Sequence, residues 1–305
     1  MISKEDKKRL WVELSIQCSK ELEEPLCDFL ISELSRGVLV EESPDNEDML
    51  LIKAYLRRED LESGAFQAVE TYIEELCLLH PHATVSIEGE RIIHEDWHDK
   101  WKRFFKPLRV GRRLVVKPTW EDYIPGPDEI VIEMDPGRAF GVGSHASTRL
   151  ILQKLEKMSD AGLIKNMRVL DVGTGSGILA ISAARLGARE VIAIDIDLDA
   201  VETARKNVHL NNVHEQVFVS NAPLWEIEGP FDLVLANIDR DSLLLLSKEL
   251  SAQVASNGLL LLSGILDHQA DGIEKGFGNQ GLKLVSVVPD EKDSRWILME
   301  FQQGS

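Results

Sequence analysis

The sequence predicts an α/β protein in two parts: a small α+β domain, then a larger domain whose mainly parallel sheet carries helices on both faces. Three observations lead there. The first hundred residues read in the order βαββαβ. After residue 165, strand and helix patterns alternate to the C-terminus. And 305 residues with 44% apolar side chains are enough to fill two cores.

In the small part, WVELSIQC (11–18) alternates as a half-buried strand does. ELEEPLCDFLISELSR (21–36) repeats apolar residues at helical spacing, through Leu22, Leu26, Phe29, Leu30 and Leu34, and Gly37 closes it. GVLVEES and MLLIKAYL are strands on either side of the turn-rich SPDNED. A second helical stripe runs through Phe66, Val69, Ile73 and Leu76, and ATVSIEGERI alternates again. This order is ferredoxin-like, a sheet with two helices on one face, and the domain is placed at 1–93. HEDWHDKWKRFF then forms an amphipathic connecting helix, 94–106, with Trp97 and Trp101 packing on one side.

The larger domain, 107–305, opens with two apolar runs, LVVKP and EIVIEMD, split by the turn YIPGPDE. Seven strands follow: VLDVG, EVIAID, QVFVSN, FDLVLANI, GLLLLSGI, LKLVSVV and WILMEF. Between them lie helices ending near Leu186, over LDAVETARKNVHLNN, through 240–256 and near 267–280.

Charge narrows the partners. The net charge is −18. Residues 1–100 carry 11 basic and 24 acidic side chains, a net of −13; residues 101–305 carry 23 and 28, a net of −5. A surface this acidic repels phosphate, so nucleic acid is not expected as a direct ligand; a basic protein is. No apolar run is long enough to span a membrane, and MISKEDKKRLWVEL lacks the apolar stretch of a secretory signal. Cys18, Cys27 and Cys77 have no metal-ligand spacing, so no metal is expected, and reduced thiols fit a cytoplasmic protein.

The chemistry concentrates in VLDVGTGSGILAISAARLGAREVIAIDID. Gly173, Gly175 and Gly177 follow a buried strand, where missing β-carbons let the backbone turn sharply and approach a ligand. The spacing is G-x-G-x-G. A dinucleotide loop would put its third glycine at 178, which is Ile, and the phosphate-loop lysine is absent, so a nicotinamide dehydrogenase is disfavoured. Asp195 ends the next strand, where an acid accepts hydrogen bonds from ribose hydroxyls. Asp197 suits a helix cap. With Asp171 before the loop, the acids suit a cationic nucleoside, S-adenosylmethionine. Glycines 137, 141 and 143 loosen the segment MDPGRAFGVGSHASTRLIL, and Ser147 and Thr148 sit where a helix cap is wanted. Asn237, in LANI at the end of the fourth strand of the sheet, can donate and accept at once.

The glycine loop with its two acids resembles the class I S-adenosylmethionine-dependent methyltransferases over about 145–305, which implies a Rossmann-like sheet of seven strands with WILMEF antiparallel to the rest. With DWHDKWKRFFKP, DPGRAFGVGSH, DLVLANI and LSGIL added, the whole chain resembles the PrmA family, bacterial methyltransferases of ribosomal protein L11. The resemblance implies methyl transfer to lysine side chains and the N-terminal amine of a basic ribosomal protein, held by the small domain. A monomer is expected. It carries cofactor contacts onto Thr148, Gly173, Asp195 and Asn237, beside Asp171, Gly175 and Gly177 from the loop itself. Asn237 and His145 are the candidate catalytic residues: Asn237 to orient the amine, His145 to relay a proton or to anchor its loop. Two stretches depart from the family. GVGSHAST stands where GTGTHPTT is usual, and ANIDRDSL where ANILAGPL is usual, which brings Asp239 and Asp241 beside Asn237. Methylation of a different lysine or small molecule, and a non-catalytic cofactor-binding assembly module, are the alternatives.

Overall fold

The computed structural model describes residues 11–30, 38–43, 46, 49–57, 65–80, 82–93, 106–135 and 145–304. The connecting helix expected over 94–106 lies outside them except for Lys106, and so do residues 136–144. The chain divides into two compact units, Met1–Phe104 and Phe105–Ser305.

In the first unit the elements run β1 (Trp11–Ser19), α1 (Glu23–Phe29), β2 (Val38–Glu42), β3 (Met49–Arg57), α2 (Ala65–Leu79) and β4 (Val85–Ile93). The sheet order is β2-β3-β1-β4, every neighbouring pair antiparallel. Period-two alternation decides which face is dry. Leu14, Ile16 and Cys18 of β1 and Ile52, Ala54 and Leu56 of β3 are buried against Leu22, Leu26, Val69 and Leu76, while Glu13, Ser15 and Gln17 stay half-exposed. Phe29 stacks on Tyr72 with ring centroids 4.0 Å apart, and the Tyr72 hydroxyl donates to the Pro25 carbonyl at 3.1 Å, so α1 and α2 are joined. The helix expected over 21–36 begins as a 3-10 turn, Lys20–Leu22, before α1; residues 31–37 are outside the described set.

The second unit holds two sheets. β5 (Leu108–Arg109), β6 (Leu114–Pro118) and β7 (Ile130–Met134) form one of three strands, with β6 and β7 parallel. The other is built from β8 (Arg168–Val172), β9 (Glu190–Ile194), β10 (Val217–Ser220), β11 (Phe231–Asn237), β12 (Val254–Leu266), β13 (Leu282–Pro289) and β14 (Trp296–Gln303). Its order is β10-β9-β8-β11-β12-β14-β13; β14 is antiparallel to both neighbours and the rest are parallel. Helices cover both faces: α3 (Ala146–Asp160), α4 (Ile178–Arg185) and α5 (Leu198–Leu210) on one, α6 (Arg240–Leu245), α7 (Ser247–Ala252) and α8 (Ala270–Gly278) on the other. Strand residues therefore read as continuous apolar runs. Leu233 and Leu235 of β11 pack among α3 and α4, and Val234 and Ala236 face Leu243, Leu250, Ile273 and Phe277. The single helix expected through 240–256 is two short ones broken at Leu246 (φ −91°, ψ 6°), and β12 already starts at Val254.

Glu156 of α3 fixes the turn between β5 and β6. Its buried carboxylate accepts from the backbone N–H groups of Arg112 (2.6 Å), Arg113 (2.5 Å) and Leu114 (2.8 Å). An anionic acceptor satisfies three amides that would otherwise be buried unpaired.

Candidate active site at the strand ends

Strand register places the sequence-derived residues in one row. Val172 of β8 is level with Ile194 of β9 and with Ala236 of β11. The next residue on each strand is Gly173, Asp195 and Asn237. Strands lie about 4.8 Å apart, so the row is roughly 10 Å long, the size of a nucleoside. It sits at the carboxyl edge of the parallel strands, where open α/β sheets bind ligands.

The glycine loop turns as the sequence requires. Gly173, Gly175 and Gly177 have φ of 71°, 54° and 85°, in the left-handed region. The N–H groups of Gly173 and Thr174 both donate to the Ile194 carbonyl (2.9 and 3.0 Å), which ties the loop to the end of β9. A β-carbon on Gly173 would lie 2.4 Å from Cγ2 of Ile238, and one on Gly177 would lie 3.2 Å from the Ala204 β-carbon. Here the glycines serve two close approaches: the loop to the end of β11, and α4 to α5.

Asp195 is half-buried. Its Oδ2 accepts from Gly175 N–H (2.8 Å) and its Oδ1 from Asp197 N–H (3.0 Å). A carboxylate has about four lone-pair sites, so each oxygen keeps capacity for a further donor. Asp197 caps α5 through the Asp199 N–H (2.9 Å), as its position promised. Between these two acids Ile196 is 94% exposed, an apolar side chain presented to solvent beside the carboxylate. Sequence reasoning passed over it, although an isoleucine just beyond a strand end, between two aspartates, is itself an anomaly.

Asp171 is fully buried. Its Oδ2 accepts from the Thr174 hydroxyl (2.6 Å) and the Ala180 N–H (3.2 Å), while Oδ1 is buried with no hydrogen-bond partner. Burial pushes its carboxyl up to about 7; the Thr174 and Ala180 bonds oppose that shift and the Asp195 charge adds to it. A buried acceptor left unpaired, under a loop with two acids, suits a ligand carrying positive charge.

At the other end of the row, the Asn237 Nδ2 donates to the Thr148 hydroxyl oxygen at 3.1 Å. Thr148 is buried in the first turn of α3. That helix is not capped by Ser147 or Thr148, as expected, but by His145: the Ser147 N–H donates to Nδ1 (3.3 Å), and Ser147 Oγ lies 2.8 Å from the same nitrogen. The imidazole meets Trp296 edge-on at 4.6 Å. Burial, and then Arg149, hold its pKa below the ordinary histidine value, against the pull of Asp293 and Asp290, so the neutral ring serves as acceptor. Next to it, Arg149 makes a two-pronged pair with buried Asp290 (2.9 and 2.6 Å), anchoring α3 to the turn before β14. Asn237 is level with Ser263, and a β-carbon on Gly264 (φ 79°) would lie 2.5 Å from the Ile238 carbonyl. Gly264 is thus a second position that lets the end of β11 lie where it does. Asp239 caps α6 through the N–H groups of Asp241 and Ser242; burial pushes its carboxyl up, but the Ser242 side-chain hydrogen bond and then these backbone N–H groups outweigh it and hold the carboxyl below the usual range. Asp241 is exposed. Among the described residues no cluster of three or more His, Cys, Asp or Glu is placed to hold a metal.

A family model described as ribosomal protein L11 methyltransferase (PrmA) matches residues 10–304. The chain belongs to the PrmA family. Relatives named ribosomal protein L11 methyltransferase include that of Geotalea uraniireducens, 37% identical over 98% of this chain and 99% of that protein, and that of Geobacter sulfurreducens, 39% identical over 96% and 98%. A crystal structure of a ribosomal protein L11 methylase from Lactobacillus delbrueckii subsp. bulgaricus superposes with a TM-score of 0.59 at 33% identity, covering 66% of this chain and all of the other. The PrmA model thus spans both units, and the enzymatic class is methyltransferase.

Proposed function

We propose that this PrmA protein methylates amines, lysine side chains and the N-terminal amine, of ribosomal protein L11. S-adenosylmethionine is the methyl donor. The observation that carries the reading is the row of Asp195, Gly173 and Asn237 across the ends of β9, β8 and β11, with Thr148 bonded to its end.

When bound, the cofactor supplies a methyl group activated on sulfur; the protein supplies binding, orientation and electrostatics. The strand-end backbone at 173–177, turned by its three left-handed glycines, would cradle the ligand. Asp195 accepts from the ribose hydroxyls, and Ile196 offers the adenine an apolar surface. Asp171 leaves its buried Oδ1 unpaired beneath the loop, an acceptor that suits a positively charged ligand. Thr148 holds Asn237 by its amide nitrogen, which leaves the amide oxygen to orient the incoming amine. His145 acts as the anchor of α3 rather than as a base: its Nδ1 accepts from the Ser147 N–H, which leaves the proton of the neutral ring on Nε2, a donor. An attacking amine must be neutral, and desolvation at such a site lowers an amine pKa. Holding reactants in line supplies up to about 7–11 kcal/mol in the best intramolecular models.

The small domain, placed at 1–93 with a connecting helix at 94–106 and the transferase domain at 107–305, is ferredoxin-like in this reading and grips the basic substrate. Its net charge of −13 over residues 1–100 supports that role. We place the enzyme in the cytoplasm as a monomer that binds neither nucleic acid nor membrane directly. No helix among the described residues is long and apolar enough to cross a membrane. Incubation with S-adenosylmethionine and purified ribosomal proteins, followed by intact-mass measurement, tests the proposal. One basic protein should gain whole methyl increments. No increment on L11, or increments on another protein alone, would overturn it.

A further inference from the structure

Two asparagines of α5 do something that no motif describes. Asn207 is fully buried and treats Asp135 as a strand neighbour would: its Oδ1 accepts from the Asp135 N–H (2.9 Å) and its Nδ2 donates to the Asp135 carbonyl (3.0 Å). One turn on, Asn211 repeats the pattern with Glu133, accepting at 2.9 Å and donating at 2.6 Å. The spacings agree: four residues of helix rise about 6 Å and two of strand about 6.6 Å. The pair extends the free edge of β7 with side-chain amides.

The rungs differ in their second N–H. Asn211 returns its own to the Asn207 carbonyl (2.8 Å), within the helix, whereas Asn207 donates to the Ser176 carbonyl (2.9 Å), inside the glycine loop. From this asymmetry we infer that Asn207 is a positioning residue for the methyl-transfer reaction: it locks the glycine loop, at the Ser176 carbonyl, to Asp135 just beyond the end of β7, so that loop and strand end are set together. The inference rests on the proposed use of this loop for S-adenosylmethionine. Asn211, with the same chemistry on the same strand but no bond to the loop, is the internal control.

Asn207→Ser and Asn211→Ser remove the two rungs in turn. Thermal melting should fall in both. Calorimetric titration with S-adenosylmethionine should show Kd raised about 10-fold or more for Asn207→Ser, the scale on which supporting partners of binding groups commonly act, with Asn211→Ser near wild type. Equal effects in the two variants, or an unchanged Kd in Asn207→Ser, would overturn the inference while leaving cofactor binding by the wild type intact. Absence of wild-type binding would instead strike the functional reading beneath it. Should Asn207→Ser fail to fold, hydrogen exchange on the wild-type protein decides: ligand should slow the Asp135 amide, bonded to Asn207, about tenfold more than the Glu133 amide, bonded to Asn211. Equal protection of the two amides would refute the coupling.

Discussion

Replacing Gly173 with alanine tests whether close approach, rather than backbone freedom alone, explains the glycine loop. Two costs are expected. A left-handed conformation costs an L-residue about 1–2 kcal/mol. The new β-carbon would also sit 2.4 Å from Ile238 Cγ2, and forcing an extra carbon into a packed site costs about 1–3 kcal/mol. The sum is roughly 2–5 kcal/mol. Gly162 separates the two costs: its φ is 72°, nearly that of Gly173, yet a β-carbon there meets nothing within 4 Å. Gly162→Ala should therefore lose only the conformational part, about 1–2 kcal/mol. Urea unfolding at 25 °C measures both. Because Gly173 opens the loop proposed to cradle the cofactor, Gly173→Ala should also weaken S-adenosylmethionine binding, and Gly162→Ala should not. If the two substitutions destabilise equally, the packing of Ile238 against the loop is not what requires glycine, and the argument fails.

Further outcomes follow from the same geometry. Asn237→Ala should collapse kcat while leaving the cofactor Kd nearly unchanged; an equal loss in both would make Asn237 a cofactor ligand only. Asp171 has a carboxyl pKa of about 7 against 3.8 when unfolded, so the folded protein holds an extra proton between those values. Stability contributed by the neutral form is complete below about pH 4, declines as pH rises to about 7, and is level above. Asp171→Asn stays neutral, so its melting temperature relative to wild type should climb between pH 5 and pH 8; a constant difference would contradict the burial argument. Glu156→Gln removes the charge that receives three amides and sets an N–H₂ group against them, at a cost of about 2–3 kcal/mol by urea unfolding. A change under about 0.5 kcal/mol, the size of an ordinary surface substitution, would mean that water replaces the carboxylate.

Much of this was legible because the signals are local. The G-x-G-x-G run, the acid 20 residues on from Gly175 and Asn237 at a strand end depend only on strand and turn grammar, and register then lines them up. The Asp197 cap was legible for the same reason. His145 as cap was missed because Ser147 and Thr148 follow it and are better known for that work; the imidazole wins because Trp296 and the Arg149–Asp290 pair hold the helix start elsewhere than the sequence implies. The break at Leu246 was hidden by an unbroken apolar pattern. The apolar runs of β6 and β7 look like any others, and nothing local says that they form a separate sheet. Asn207 and Asn211 read as polar residues on an amphipathic helix, since their partners are 72 and 78 residues away.

The central claim is that Asp195 holds the sugar of a nucleoside cradled by residues 173–177. A crystal structure of the protein with S-adenosylmethionine or its demethylated product tests it directly. The expected result is both ribose hydroxyls within about 2.5–3.0 Å of the Asp195 carboxylate. A nucleoside bound elsewhere, or a ribose out of reach of Asp195, would contradict it.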